Sequence, residues 1–291
     1  MIQFILLLAI ILIAYLFIAL SITLILANFP RMPVKENPDW GTIKECRIPT
    51  INGKTMECWV VFPENLKEVN DESSLKINPA IILMHGWARN RDRMVTRARI
   101  FGKHGYTTIL FSARDHGNSD KELTGMSILR FSQDLESCVN WWGKPAVVCG
   151  HSIGAGATLI VAARNPLIRA VIAEATPFAF LHSLKYVYRP VLKWFTPILM
   201  PGIKFVTKIK FRNNRKWEYS PLDAVSHIDV PTLLIHGKND DILPSELTKR
   251  LHKELKDSVL WIPENTTHYN IENHPDYEKR VISFLESLSN P

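Results

Sequence analysis

Three kinds of residue in this sequence have types and spacing suited to nucleophilic acyl transfer. Ser152 lies in Gly150-His151-Ser152-Ile153-Gly154-Ala155-Gly156, which follows the apolar run 145–149 and leads into a helical run over 157–164. A serine on so tight a strand-to-helix turn needs nearly side-chainless residues two before and two after it. The helix that follows favours developing negative charge at its N-terminus. A serine hydroxyl is a weak nucleophile, so it also needs a histidine base and a carboxylate to orient that base. Position selects among the ten histidines. The run Thr232–Ile235 opens into His236-Gly237-Lys238-Asn239-Asp240-Asp241, and the last apolar run opens into Pro263-Glu264-Asn265-Thr266-Thr267-His268. An acid at 240 or 241 and a base at His268 therefore stand just past consecutive strand ends, whereas His274, in Asn273-His274-Pro275, reads as the entrance to the final helix. An oxyanion formed at Ser152 needs two N–H donors, each worth about 3 kcal/mol of barrier. Ile153 supplies one, and the turn at Trp87, in His85-Gly86-Trp87, supplies the other.

The elements that must hold these residues follow from hydrophobic patterning. Short apolar runs at 80–84, 107–111, 146–149, 170–173, 232–235 and 259–262 read as fully buried strands, separated by stretches long enough for helices. That alternation predicts an α/β protein with a mostly parallel sheet, helices on both faces and sites at the carboxyl ends of strands. Upstream, 43–48 and 55–62 read as an antiparallel hairpin across Asn52-Gly53; a two-residue turn there pairs Arg47 with Cys58 and puts Cys46 and Cys58 on opposite faces. With Cys138 in a helix, Cys149 at a strand end and no C-x-x-C spacing, the four cysteines read as reduced, buried thiols.

Four motifs in order carry a family resemblance. They are His85-Gly86-Trp87; Ser112-Ala113-Arg114-Asp115-His116-Gly117-Asn118-Ser119, similar to D-x-R-G-H-G-x-S; Gly150 to Gly154; and the H-G-x-x-D segment ending at Asp240, followed by His268. From about Gly53 onward the chain resembles the α/β-hydrolase fold superfamily, in particular the serine hydrolases grouped with S33-type aminopeptidases, lysophospholipases and monoacylglycerol lipases. Those enzymes show the order serine, acid, histidine. The resemblance implies an α/β-hydrolase fold with a lid insertion, a triad of Ser152, Asp240 and His268, and an oxyanion hole at Trp87 and Ile153. The family spacing puts the acid three residues after the glycine of His-Gly, which selects Asp240 over Asp241. Ser112, Asp115 and Asp241 stand where the family has Asp, Gly and Pro, departures that bear on the substrate subgroup and leave the triad intact.

Residues 2–29 hold no Asp, Glu, Lys or Arg, and a hydrocarbon core about 30 Å thick needs about 20 helical residues. With no basic residue ahead of it and a length beyond a signal peptide's apolar core, this segment reads as one uncleaved transmembrane helix. The expected organisation is an anchor over 3–28, a linker over 29–42 and a hydrolase domain over 43–291 with a lid over about 177–219. Arg31, Lys35 and Lys44 follow the anchor, so the positive-inside tendency puts the catalytic domain of this single-pass membrane protein in the cytoplasm. The lid segment carries nine Lys or Arg against Glu218 alone, which accounts for the formal +7 of the whole chain. Interleaved aromatics such as Trp194, Phe195, Phe205 and Trp217 make it a mixture suited to an anionic membrane surface.

A chain that is 46% apolar with four cysteines is neither disordered nor a disulfide scaffold. The basic charge comes without a nucleic-acid-binding motif, so no nucleic-acid partner is expected. No H-E-x-x-H, paired-cysteine or calcium-loop spacing implies a metal. Leu159 replaces the third glycine of a dinucleotide loop, so no cofactor is expected either. The expectation is a membrane-anchored serine hydrolase that cleaves a carboxylic ester or thioester of a small-molecule or lipid substrate through an acyl-enzyme. An S33-like peptidase and a non-catalytic membrane scaffold on the same fold are the alternatives.

Overall fold

The computed structural model describes residues 1–28, 31–64, 79–122 and 127–288; Phe29 and Pro30 of the expected linker, and the last three residues of the expected domain, lie outside them. Eight strands form one sheet in the order β1-β2-β4-β3-β5-β6-β7-β8. They are β1 (Thr42–Pro49), β2 (Thr55–Phe62), β3 (Ala80–Met84), β4 (Thr108–Phe111), β5 (Ala146–His151), β6 (Ile168–Glu174), β7 (Thr232–Ile235) and β8 (Ser258–Trp261). From β4 onward every pairing is parallel, and only the β1-β2 and β2-β4 pairings are antiparallel. Alternate residues of each strand enter separate cores: Ile82 and Met84 join one apolar cluster, Ile81 and Leu83 the other. The first is covered by α3 (Ile128–Trp142), α4 (Ile153–Ala162) and α8 (Glu246–Glu254), and the second by α2 (Val95–Lys103) and α9 (Tyr277–Ser287). Capping fixes their ends: Ser127 accepts the Arg130 amide at the start of α3, and Gly143 closes it in the left-handed conformation.

Two strand expectations need correction. The β1-β2 hairpin is one residue out of the expected register: Cys46 faces Cys58, Arg47 faces Glu57, and Pro49 faces Thr55. A two-residue type I′ turn needs positive φ at both central residues, and of the Asn-Gly pair only Gly53 has it. The chain takes a longer connection instead, closed by the Thr50 amide on the Lys54 carbonyl at 2.8 Å and the Gly53 amide on the Thr50 carbonyl at 3.1 Å. Cys46 and Cys58 thus share a face, all four cysteines are free thiols, and Cys46 is only partly buried. The last strand is also not fully buried, because β8 is the sheet edge and Val259 remains half exposed.

The N-terminal apolar run forms one helix, α1 (Ile2–Ala27), and the segment after it is strapped to the domain rather than loose. Arg31 donates to the carbonyls of Gly117 and Ser119, Asn90 donates to those of Met32 and Pro33, and the Lys35 amide donates to Asp92. Trp40 is buried in the second core against α2, where a Cβ on Gly102 would lie 2.1 Å from its indole nitrogen. Between β6 and β7 the chain folds as α5 (Phe180–Leu192), α6 (Thr196–Lys210) and a short α7 (Pro221–Ala224). Trp40→Ala should lower unfolding stability by roughly 3 kcal/mol, since it removes a buried indole and leaves a cavity. Denaturant titration of the wild-type and variant chains measures this, and an unchanged midpoint would mean the strap contributes nothing.

Candidate active site

The turn after β5 is shaped by close approach. Ser152 sits at φ 57°, ψ −123°, a backbone conformation that side-chain-bearing residues rarely adopt. A Cβ on Gly150 would lie 2.6 Å from the Gly154 carbonyl, and one on Gly154 would lie 2.5 Å from the His85 carbonyl oxygen. Both glycines are therefore demanded by packing of the elbow against itself and against the end of β3. The Ser152 amide donates to the Glu174 carbonyl at 2.8 Å, which ties the turn to β6.

His268 and Asp240 arrive from the loops after β8 and β7. His268 Nε2 is 3.1 Å from Ser152 Oγ, and its Nδ1 is 2.7 Å from Asp240 Oδ2. The other Asp240 oxygen accepts the amides of Ile242 and Leu243, and His236 Nε2 lies 3.1 Å from Oδ2. Burial alone would raise the Asp240 carboxyl, but hydrogen bonds from His236 and His268 outweigh it and hold the acid well below the ordinary carboxylate range. It is an anion across the physiological range. Asp241 is exposed and outside this chain of contacts, and His274 packs against Trp261. Gly86 rests against Ser152, with its Cβ position 3.3 Å from the serine Cβ, and Ile153 opens α4 directly after the serine. First-turn helix amides have no partner within their own helix.

The departures from the family pattern are locally compensated. Ser112 donates to Glu57 Oε1 at 2.7 Å, and Glu57 pairs with Arg91 at 3.2 Å, so a strand-borne carboxylate stands where the motif has its aspartate. Asp115 adopts φ 65°, the conformation glycine would take, and its carboxylate binds the Glu122 amide and Arg130. His151 Nε2 is 2.7 Å from the His268 carbonyl, a hydrogen-bonding role for this histidine rather than a catalytic one. Sequence reasoning missed the charged groups that hold the loops together. Arg97, fully buried, binds Glu174 at 2.6 Å and Glu272 at 3.1 Å. Glu174 directly follows an apolar strand run and Arg97 lies on an apolar helix face, which is the one sequence signal that could have marked them as paired.

A cavity of about 410 Å³ opens from Ser152 and His268. One wall is apolar, from Leu184, Val187, Pro190 and Val191 of α5 together with Ile242 and Leu243; the other holds Arg89, Arg93 and Tyr269. Among the described residues no acidic side chain lines it. Among the described residues no group of three or more His, Cys, Asp or Glu is placed to hold a metal ion. The arrangement sets a serine hydroxyl beside an imidazole that can accept its proton, with a carboxylate behind the imidazole.

Two family models match the chain: serine aminopeptidase, S33, over residues 76–219, and TAP-like protein over 210–291. YqkD of Bacillus subtilis, an uncharacterized protein, is 28% identical over 221 residues, covering 72% of each chain. The mouse lysophosphatidylserine lipase ABHD12 is 27% identical over 264 residues, which covers 79% of this chain and 62% of the lipase. Among solved structures, an esterase of Pyrococcus furiosus superposes with a TM-score of 0.68 at 21% identity, covering 89% of this chain and 99% of the esterase. A bacterial membrane phospholipase A superposes with a TM-score of 0.63 at 16% identity over the full length of both.

Three buried histidines around the site give a stability signature. Burial lowers His85 to about 3 and His116 to about 4, and burial and the neighbouring His268 push His151 well below its ordinary value of 6.5. Each is neutral when folded and takes a proton on unfolding below pH 6.5. Stability should therefore be intact above pH 6.5 and fall as the pH drops from there toward 4, by up to about 1.4 kcal/mol per pH unit per histidine. Thermal melts between pH 7.5 and 4.5 measure this; a flat melting temperature is the contrary result.

Proposed function

Since the chain belongs to the α/β-hydrolase superfamily and is a hydrolase of its serine type, we propose that it is a membrane-anchored enzyme that cleaves carboxylic esters of lipids through an acyl-serine intermediate. The observation that carries this reading is the hydrogen-bonded chain from Asp240 through His268 to Ser152 at the mouth of a largely apolar cavity. His268 takes the Ser152 proton as Oγ attacks the ester carbonyl carbon, and Asp240 holds the imidazole tautomer. The amides of Ile153 and Trp87 receive the oxyanion. Collapse breaks the ester C–O bond while His268 Nε2 returns the proton to the departing alcohol; water, deprotonated in turn by His268, then releases the acid and restores the serine. A thioester would follow the same course.

The cavity walls indicate how such a substrate lies. The leaving oxygen must face His268, so the alcohol runs along Tyr269, Arg89 and Arg93 while the acyl chain meets the apolar α5 wall. Arg93 is matched by Glu272 at 3.3 Å, whereas Arg89 sits over the Tyr269 ring and, among the described residues, faces no carboxylate. A cationic wall favours an anionic alcohol such as a lysophospholipid headgroup, in keeping with the lipase and phospholipase relatives. The S33 relationship raises an aminopeptidase as a second reading. An aminopeptidase must hold a substrate ammonium, and unmatched Arg89 repels one, with no acidic side chain among the described residues lining the cavity to hold it.

Ile2–Ile25 is long and apolar enough to cross a bilayer and remains almost wholly exposed. We read it as the anchor, with the insertion over 177–219 as the lid and the basic residues after the span placing the hydrolase on the cytoplasmic side.

Ser152→Ala should abolish covalent labelling by a fluorophosphonate, and Asp240→Asn should lower turnover by about 10⁴-fold while Asp241→Asn leaves it near wild type. Labelling that persists in the alanine variant would assign the nucleophile elsewhere, and a wild-type chain that never labels would favour the scaffold. Arg89→Gln should raise KM several-fold for an anionic lysophospholipid and leave hydrolysis of neutral p-nitrophenyl butyrate unchanged.

A further inference from the structure

More than half of the large apolar side chains that stay exposed beyond α1 belong to one segment. Among the described residues beyond α1, Val191, Trp194, Phe195, Ile198, Phe205 and Ile209 form one cluster within 19 positions, with Trp194 90% exposed. This is the segment that joins α5 to α6 and continues along α6. A patch of that kind on a soluble protein marks a surface that something covers.

The anchor helix meets α6 at this patch through an unusual contact. In a regular helix the Gly202 amide would donate to the Ile198 carbonyl. Here the Tyr15 hydroxyl stands between them, accepting from the Gly202 amide at 2.8 Å and donating to the Ile198 carbonyl at 2.8 Å. The insertion falls beside Pro201, which has no amide to donate and opens the ladder. Gly202 is required for it, because a Cβ there would lie 2.8 Å from the tyrosine ring. Tyr15, Ala19 and Ile22 share one face of α1 by their spacing. Ala19 is fully buried and Ile22 partly, in the same apolar cluster as Met200 and Ile203 of α6.

Depth along the span decides what covers the patch. Tyr15 precedes Ile25 by ten residues, about 15 Å along a helix axis, which is half of a hydrocarbon core about 30 Å thick. A helix held at Tyr15 is therefore well below the level at which the span leaves the lipid. A tyrosine hydroxyl in hydrocarbon needs both a donor and an acceptor, and the opened turn of α6 supplies the pair. Exposed Arg189 and Lys193 flank the junction and Lys204 and Lys208 lie along α6, so these long side chains carry their charges toward the phosphates while Trp194 and Ile198 face acyl chains.

We propose that α6 and the α5-α6 junction are sunk in the lipid leaflet on the catalytic side, clasped to the span by the Tyr15 hydroxyl, so that the span is one wall of the lid and not a tether. Val191 belongs both to this face and to the cavity wall, so an acyl chain passes from the leaflet into the cavity without crossing water. The inference rests on α1 spanning a bilayer, not on the chemistry at Ser152.

The test uses the full chain in phosphatidylcholine vesicles whose acyl chains are brominated. The span has no tryptophan, so the quenching lost on Trp194→Phe isolates Trp194, and a tryptophan placed in the span by Leu8→Trp reports insertion separately. Both signals should be quenched by bromolipid, with Trp194 shielded from aqueous acrylamide. Tyr15→Phe, which leaves the span apolar, should at least halve the Trp194 quenching. It should also raise KM several-fold for a vesicle-borne long-chain ester, with kcat on a short soluble ester unchanged. If the span reporter is quenched while Trp194 is quenched only by acrylamide, the lid faces water and the proposal is overturned. A Trp194 signal that depends on protein dilution but not on bromolipid assigns the face to a second copy and overturns it equally. Quenching of neither reporter refutes the anchor itself, and unaltered quenching in Tyr15→Phe refutes the clasp.

Discussion

The site depends on how closely the end of β5 can approach the end of β3. Gly150 and Gly154 leave no room for a Cβ, and the serine between them accepts a backbone conformation that costs on the order of 1–3 kcal/mol. That cost is offset by bonds the turn makes on both sides, from the Ser152 amide to Glu174 and from the Gly156 amide to the Ser152 carbonyl. The tight turn lifts the hydroxyl clear of the sheet, points it at the loop that carries His268 and brings the first amides of α4 beside it.

Beneath this turn lies an ionic cluster that joins otherwise separate loops. Glu174 receives both the Arg97 guanidinium and the Tyr277 hydroxyl, and Arg97 reaches on to Glu272. Arg93 bridges Glu272 and the Tyr269 carbonyl, next to His268. A buried ion pair is weak evidence of net stability, because desolvation opposes the Coulomb gain; removing one partner leaves a charge stranded at a cost of about 3–5 kcal/mol. Its contribution here is positional. Four charged residues, Glu174, Arg97, Glu272 and Arg93, link the strand that receives the Ser152 amide to the loop that carries His268, and His151 adds a further bond to the His268 carbonyl.

Away from the site, the same economy of polar contacts organises the segment that follows α1. The strap from Arg31 to Trp40 is held by carbonyls of the loop over 117–119 and by Asn90 and Asp92. That loop is braced in turn by Glu57, which also holds Ser112 and Arg91. Residues 31–40 are thus part of the domain rather than a free linker.

Residue type and local spacing were enough for the parallel strands, the elbow at Ser152, the placing of Asp240 and His268 just past strand ends and the long apolar helix. Each rests on local signals: an apolar run of strand length, glycines at fixed offsets around a serine, acid and histidine just past strand ends, and more than twenty uncharged residues in a row. Choosing Asp240 over Asp241 needed family spacing, since adjacent carboxylates in one loop are alike until the loop is folded; the fold aims one at His268 and the other at solvent. Hairpin register was misread because it turned on a single φ at Asn52. The exposure of β8 depends on there being no further strand beside it among the described residues, which no property of residues 258–261 encodes. The tertiary structure alone decided that Glu57 supplies the carboxylate missing at Ser112, that Arg97 and Glu174 meet, and that Tyr15 enters a helix 183 residues further along the chain. These are pairings across long sequence separations, and hydrophobic period and residue type carry no information about which distant partner a polar group will meet.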